Sequence, residues 1–389
     1  MVAMGLNGSC KKALQRVKPY GAMMLVQFSF AVMYVILMVT FKKGMNQSVM
    51  FVYRSVVAAA VIAPFALCFE RNGESKMTLV IFVKVMALGI LQPVLDQNFY
   101  FLGAKATSTS FASALENINP AITFIMCLLL RFEKLNIRRR HGLAKLIGAL
   151  LTVIGAILMI LYKGPLVEFF WLKGREKNST SGHANGEAAS NVGWIKGTLM
   201  VLVSCFSWCS FLILQTNTLK SYPAKLSLTV MVCSIGAVTN AVIALVVEQG
   251  SFRPWVLGWD MRLFAVTYSG VVCTAFLYFV LGMVMKEKGP VFASAFNPLT
   301  MIITNVLSSI FLAERTALGT VIGAIVLVVG MYLILWGKSN DVLTKLENKE
   351  GIEGIELHMV APNIIDGGSP LRAESMVIEI QKTENEIPA

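Results

Sequence analysis

The sequence is poor in charge. Only 14% of its 389 residues are Asp, Glu, Lys or Arg, and 56% are hydrophobic, whereas soluble domains contain about 25% charged residues. Residues 1–19 are basic and polar and lack the apolar core of a secretory signal, so we expect no cleavable signal peptide. This composition predicts an integral membrane protein rather than a soluble domain.

The sequence also has few residues for metal or nucleophile chemistry. Its seven cysteines lie mostly in apolar runs at spacings that do not match a metal site, and its three histidines lie outside those runs. No nucleophile–base pair is apparent. We therefore expect no catalytic residue, no metal site and no cofactor, and we do not expect an enzyme.

Long apolar runs are abundant. A helix needs about 20 apolar residues to cross a hydrocarbon core, and it must be a helix because an open strand would leave backbone groups unpaired in lipid. The sequence predicts ten such spans, near 20–40, 48–69, 79–102, 108–131, 142–162, 194–217, 225–248, 262–284, 291–313 and 318–337. The predicted fold class is all-α integral membrane.

The basic residues predict the orientation of these spans. Residues 1–337 contain 29 Lys and Arg against 12 Asp and Glu, and six of the basic residues lie in 131–145. Such residues in short turns mark cytosolic loops and imply no nucleic-acid partner. With ten spans, both termini are predicted to be cytosolic, and the candidate glycosylation site Asn178 is predicted to lie on the opposite side.

The predicted domain organisation follows from these spans. It comprises a cytosolic N-terminus at 1–19, a first five-helix repeat at 20–163, a non-cytosolic loop at 164–193, a second five-helix repeat at 194–337, and a tail at 338–389. The tail is polar and acidic, and we expect it to be disordered and cytosolic. An inert solvated tail is the favoured interpretation, and a segment that binds a partner or carries phosphorylation sites is the alternative.

An internal repeat relates the two halves. Phe111-Ala112-Ser113 recurs as Phe292-Ala293-Ser294, and Glu133 and Glu314 follow at the same spacing. Since each half contains five predicted spans, an odd number, the two halves must have opposite orientations. Inverted repeats are typical of transporters, whose substrate sites lie near the midplane where the halves meet.

Three charged residues lie deep in the first repeat. Arg54, Asp96 and Glu116 are each six to eight residues from the same membrane face, which corresponds to about 10 Å along a helix. Ionisable groups at that depth need a partner or a function. Arg54 and Asp96 are predicted either to form a structural ion pair or, in the case of Asp96, to contribute to a binding site, and Glu116 is favoured as a site residue.

Three prolines predict helix breaks near these charges. Pro120 has no N–H, so the carbonyl of Glu116 loses its helical partner, and Pro298 has the same effect in the repeat-related span. Pro93 precedes Asp96 in a third such segment. Irregular backbone at this depth is tolerated where it lines a cavity, although packing kinks are the alternative for each proline. The candidate substrate-binding residues are Glu116, Asn117, Asn297, Asp96, Gln97, Gln27 and Gln215.

Several motifs resemble a known family. They are Tyr53-Arg54, Ala63–Ala66, Asp96–Tyr100, Phe111–Ala114, Asn119–Phe124, Leu161–Pro165, Lys288–Phe292 and Asn297–Leu299. Over residues 18–338 the chain resembles the plant nodulin-21-like, WALLS ARE THIN-related transporters, which belong to the drug/metabolite transporter superfamily and contain two EamA-like repeats. The resemblance implies ten helices, cytosolic termini and a small-molecule substrate. Relatives usually have Gln where this chain has Leu281, so this chain lacks a polar group in the expected wall of the pocket.

The function implied by this resemblance is amino-acid facilitation by alternating access, at the plasma membrane more than at the tonoplast. Export of indole-type acids such as auxin is the alternative, and a receptor or scaffold signalling through the tail is an alternative of another class. An amino acid needs an acceptor for its ammonium group and donors for its carboxylate. Glu116 is the best acceptor and Asn117 and Asn297 are amide donors, although Glu116 could instead bind the driving proton.

Overall fold

The computed structural model describes residues 2–70, 77–107, 109–133, 140–162, 165–167, 191–222, 224–247, 255–256, 258–311 and 316–340. Ten helices in these residues are long and apolar enough to cross a membrane. Numbered one to ten, they are Val17–Phe41, Gln47–Phe69, Leu79–Ala106, Phe111–Leu129, Arg140–Leu161, Gly193–Ser221, Lys225–Val247, Met261–Lys288, Pro290–Ile310 and Leu318–Asn340. Their bounds agree with the predicted spans to within about four residues, and the all-α fold is confirmed.

Four of the ten spans are interrupted, and they form two repeat-related pairs. Spans three and eight each contain a π-helical segment, at Leu91–Asp96 and at Tyr268–Leu277. Spans four and nine are each broken into two α-helices. The interrupted spans consist of Leu79–Ile90, Leu91–Asp96 and Gln97–Ala106; Thr109–Glu116 and Asn119–Leu129; Met261–Thr267, Tyr268–Leu277 and Tyr278–Lys288; and Pro290–Ala295 and Asn297–Phe311.

The other helices are continuous, and side chains cap several of their ends. They are Val2–Lys42, Gln47–Phe69, Arg140–Leu161, Asn191–Ser221, Lys225–Val247 and Leu318–Asn340. Asn46 caps span two, because its side-chain oxygen accepts from the backbone N–H of Ser48 at 2.9 Å. Glu70, at the end of span two, accepts from the backbone N–H groups of Leu226 and Ser227 at 2.9 and 2.7 Å and so caps span seven.

Several spans of one repeat pack against spans of the other. Spans two and seven pack along each other, spans three and four pack on span six, and spans one and nine are in contact. Spans five and ten approach through glycines. A Cβ added to Gly323 would lie 2.8 Å from the carbonyl oxygen of Gly155, and one added to Gly148 would lie 2.7 Å from that of Gly330. Such small residues allow helix backbones to pack closely in a membrane.

A short ladder joins the segments that flank spans five and ten. Leu166–Val167 pairs antiparallel with Thr316–Ala317, and the N–H of Leu318 donates to the carbonyl of Pro165 at 2.9 Å. The sequence pattern did not predict this pairing. Residues 168–190 of the loop, including Asn178, and the tail from residue 341 lie outside the described residues.

Candidate functional site

Asp96 is the last residue of the π-helical segment in span three. Its Oδ1 accepts a hydrogen bond from Oγ of Ser204 in span six at 2.7 Å. Pro93 lies inside the same segment and has no N–H to continue the α-helical ladder. The proline break predicted here is therefore present, and it turns Asp96 towards the second repeat.

Asn240 of span seven holds this segment in place. Its Nδ2 donates to the carbonyl of Pro93 at 2.8 Å, and its Oδ1 accepts from Nδ2 of Asn98 at 2.9 Å. Gly236, one turn earlier, lets the proline ring approach, since an added Cβ would lie 2.6 Å from Cγ of Pro93. Sequence reasoning missed Asn240, although a single amide in an otherwise apolar span was a usable signal.

Glu116 ends the first half of span four, and the second half begins at Asn119. Two thiols of span six contact the backbone at this break. Sγ of Cys209 lies 3.4 Å from the carbonyl oxygen of Asn119, and Sγ of Cys205 lies 4.0 Å from that of Leu115. The break predicted from Pro120 is thus present, and span six supports it on both sides.

The carboxylate of Glu116 accepts no hydrogen bond from the described residues. Its side chain is half-buried. Leu115, the residue before Glu116, contacts Cys205 through its carbonyl, and Asp96 bonds to the adjacent Ser204, so both segments contact the same turn of span six.

Asn117 faces a different direction from Glu116. Its Nδ2 lies 2.7 Å from Sδ of Met301 in span nine and 3.2 Å from the carbonyl oxygen of Ser113. It is also 3.8 Å from Sδ of Met159 in span five. The amide that sequence analysis predicted to bind a substrate carboxylate is instead in contact with the side of the bundle formed by spans five and nine.

The predicted ion pair between Arg54 and Asp96 is not formed. Nε of Arg54 donates to Oγ1 of Thr274 in span eight at 2.6 Å, and Thr274 donates in turn to the carbonyl of Ser269 at 3.0 Å. In the described ranges no carboxylate oxygen lies within the 4.0 Å ion-pair distance of Arg54. Span eight and span six instead each provide a separate hydroxyl partner.

Aromatic residues pack beside the spans that carry the charged groups. Tyr278 of span eight, one turn after Thr274, lies 6.4 Å from Phe30 of span one and 6.2 Å from Phe211 of span six between ring centroids. Arg54 bonds to span eight through Thr274, and Asp96 bonds to span six through Ser204. The candidate site is therefore the region where spans two, three, four, six and eight contact one another.

Span nine contributes the second predicted break. The helix ends at Ala295 and restarts at Asn297, next to Pro298. Asn297 is half-buried, and its side-chain amide forms no hydrogen bond with the described residues. When Phe111 is aligned with Phe292, Asn297 occupies the position of Glu116 in the second repeat.

The predicted glutamines have different environments. Oε1 of Gln27 in span one accepts from Oγ1 of Thr300 in span nine. Gln215 of span six is 7% exposed, and no described group donates to its enclosed Oε1. Gln97 is half-buried beside Asp96. In the described part of the chain, His, Cys, Asp and Glu side chains form no group of three that could hold a metal ion.

This region has the chemistry of a binding site rather than of a packed core. It contains two carboxylates, one guanidinium, amides and tyrosine hydroxyls at the depth of broken helices. Buried charges in a membrane segment are costly and mark sites for polar or charged substrates. Unwound backbone between inverted repeats is where transporters bind their substrates.

Comparison with known proteins shows the family to which the chain belongs. The model of the EamA-like transporter family matches residues 17–161 and 195–336. The chain is 44% identical over 367 residues to WAT1-related protein At1g21890 of Arabidopsis thaliana, covering 93% of each protein. It is 46% identical over 328 residues to WAT1-related protein At4g08290 of the same plant, covering 84% of this chain and 85% of that one.

One solved crystal structure has a similar fold. It has a TM-score of 0.56 and 14% identity to this chain, and the match covers 80% of this chain and 98% of that one. At this identity the likeness concerns the fold alone. The two matched segments coincide with the two five-span repeats. The chain therefore belongs to the EamA-like transporter family of the drug/metabolite transporter superfamily, among the plant WAT1-related proteins.

Proposed function

We propose that this membrane transporter moves amino acids by alternating access between its two repeats. The observation that supports the proposal is the pair of opposite charges that face one region without pairing with each other. Arg54 is held by Thr274, and Glu116 accepts no hydrogen bond from the described residues. A zwitterion has one charge of each sign and compensates both groups at once.

Glu116 is the proposed acceptor for the ammonium group. Its carboxylate accepts no hydrogen bond from the described residues, and its negative charge favours a cation. Asp96 provides a second carboxylate at the turn of span six that contacts Leu115, and it stays bonded to Ser204. Gln97 and Asn297 are the proposed amide contacts, because both are half-buried and near the breaks. Asn117 fits this role less well, since its amide already contacts Met301.

Export of indole-type acids is the second candidate, and an aromatic cluster favours it. Tyr278 lies 6.2 Å from Phe211 and 6.4 Å from Phe30 between ring centroids, and Trp208 stacks on Phe211 at 5.8 Å. Rings of this kind pack well against an indole. An acid without an ammonium group would leave Glu116 uncompensated, so we rank this candidate second.

The test is flux in proteoliposomes containing the full chain. A panel of labelled amino acids and labelled indole-3-acetate is compared for the wild type and Glu116→Gln. We expect uptake of one or more amino acids and its strong loss in the variant, with normal folded protein. Glu287→Gln is the matched control, since it makes the same chemical change at an exposed residue at the end of span eight.

A counterflow assay separates the two roles of Glu116. If Glu116 binds the driving proton, Glu116→Gln loses net flux and retains exchange of labelled for unlabelled substrate. If it binds the ammonium group, both are lost. Unchanged flux in both assays would mean that the site is elsewhere, and uptake of indole-3-acetate alone would favour the second candidate.

The proposed orientation keeps both termini in the cytosol and Asn178 on the other side, at the plasma membrane rather than the tonoplast. Protease protection of terminal tags tests it, and exposure of the 131–145 loop on the non-cytosolic side would contradict it. Deleting 338–389 tests the receptor alternative. A transporter keeps its flux without this segment, whereas a receptor that signals through the tail loses its output.

A further inference from the structure

Arg54 is a buried cation that has no carboxylate partner among the residues that the structure describes. The residue is 5% exposed in the middle of span two, and its Nε donates to the neutral hydroxyl of Thr274. Gly270 brings span eight close at this level, since an added Cβ would lie 3.0 Å from the carbonyl oxygen of Arg54. A hydroxyl orients the guanidinium but does not neutralise it, and an uncompensated buried charge is destabilising.

The other end of the guanidinium is free to bind a ligand. No group in the described residues accepts a hydrogen bond from Nη1 or Nη2, and neither atom is among those that are fully enclosed without a partner. These two nitrogens therefore retain accessible surface. A planar guanidinium with both terminal nitrogens available matches a carboxylate in a two-bond geometry that Lys cannot reproduce.

Span eight links the guanidinium to the helix that holds Asp96. Arg54 bonds to Thr274 of span eight, Tyr278 one turn later packs against Phe211 of span six, and Ser204 of span six donates to Asp96. Arg54 and the carboxylates are nevertheless more than 4.0 Å apart. A molecule with a carboxylate and an ammonium group close together can bridge such a gap with one hydrogen-bonded contact at each end.

We infer that Arg54 binds the carboxylate group of the transported substrate. Thr274 orients the side chain by accepting from Nε, and the Nη nitrogens contact the substrate. This inference rests on the proposed function for its position at the transport site, but its ligand chemistry is separate, because it requires only a carboxylate and not an ammonium group.

The experiment measures how Arg54 variants of the full-length transporter in proteoliposomes distinguish related ligands. The substrate is the labelled amino acid with the highest flux. The competitors are the same amino acid without label, its α-carboxamide and the analogue that lacks the amino group. The wild type should prefer the amino acid to the carboxamide. Arg54→Gln should weaken competition by the amino acid about ten- to hundredfold, as expected for lost charge-assisted hydrogen bonds, and leave competition by the carboxamide unchanged.

Three further variants make the result specific. Arg54→Lys keeps the charge but not the two-bond geometry, so its loss should be intermediate, and it serves as the readout if Arg54→Gln does not fold. Arg262→Gln is the matched control, since Arg262 is exposed and contacts Asp260 and the carbonyl of Lys43. Thr274→Val should weaken the preference modestly, because only the orientation of Arg54 is lost.

The outcomes separate this inference from the proposed function. Equal weakening of all probes by Arg54→Gln, or no weakening, would overturn the inference. A wild type that prefers the carboxamide or makes no distinction would overturn it as well and leave amine binding at Glu116 intact. If no amino acid is transported but indole-3-acetate is, and Arg54→Gln abolishes that flux, the amino-acid proposal fails and the inference stands.

Discussion

Replacing Asn240 with Ala should loosen the π-helical segment that positions Asp96. The change removes two hydrogen bonds, from Asn240 to the carbonyl of Pro93 at 2.8 Å and from Asn98 to Asn240 at 2.9 Å. Asn98 keeps its bond to the carbonyl of Val94 at 2.8 Å, so its donor remains satisfied. The Pro93 carbonyl loses the amide donor that span seven provides.

The expected loss of stability is moderate. A buried carbonyl left without a partner costs about 1–3 kcal/mol, whereas interhelical hydrogen bonds in membranes average about 0.6 kcal/mol because the unfolded segments find other partners. We therefore expect Asn240→Ala to lower the free energy of unfolding by about 1–2 kcal/mol. The substrate KM should rise, since Asp96 lies in the segment that is released.

The assay compares reversible unfolding in detergent with flux in proteoliposomes. Thr239→Val is the matched control on the neighbouring residue, because the Thr239 hydroxyl donates only to the carbonyl of Ile235 in its own helix, at 2.9 Å. Asn98→Ala should have the smaller effect, since Asn240 would still bind the carbonyl of Pro93. Equal stability and equal KM in Asn240→Ala and Thr239→Val would refute the reasoning.

Three other changes test the packing around the site. Glu70→Ala should lower the free energy of unfolding by about 0.5–2 kcal/mol, because the first turn of span seven loses its cap; an unchanged melting curve would count against this. Gly236→Ala should lower the free energy of unfolding by about 1–3 kcal/mol, because the added Cβ would lie 2.6 Å from the ring of Pro93 in span three. Gly258→Ala is the neutral control, since a Cβ there would have no atom within 4 Å. Lys145→Ala should lower the free energy of unfolding by about 3 kcal/mol, because it breaks a buried 2.9 Å ion pair with Glu133. The double variant Lys145→Met with Glu133→Leu should recover most of this stability. Equal losses in the single and double variants would argue against the ion pair.

The sequence alone determined the spans and most of their breaks. Apolar length is a local property, since each helix satisfies its own backbone in lipid whatever its neighbours are. Proline is equally local, because its missing N–H and its ring disturb the helix in which it lies. For this reason the ten spans and the breaks near Pro93, Pro120 and Pro298 could be predicted from the residue types.

The tertiary structure alone decided which polar groups meet. The position of a residue along its span could be read from its number, but rotation about each helix axis depends on packing against other spans. That rotation brings Arg54 into hydrogen-bond contact with Thr274 and Asp96 into hydrogen-bond contact with Ser204. It also places the amide of Asn117 against Met301.

The π-helical segment of span eight was also decided by the tertiary structure. No proline marks Tyr268–Leu277, and its irregular backbone is accompanied by the bond between Thr274 and the carbonyl of Ser269 five residues earlier. Asn240 likewise has a partner only because Gly236 lets spans three and seven approach. Sequence therefore determined where polar groups lie along each span, and the contacts between distant helices determined which of them share a site.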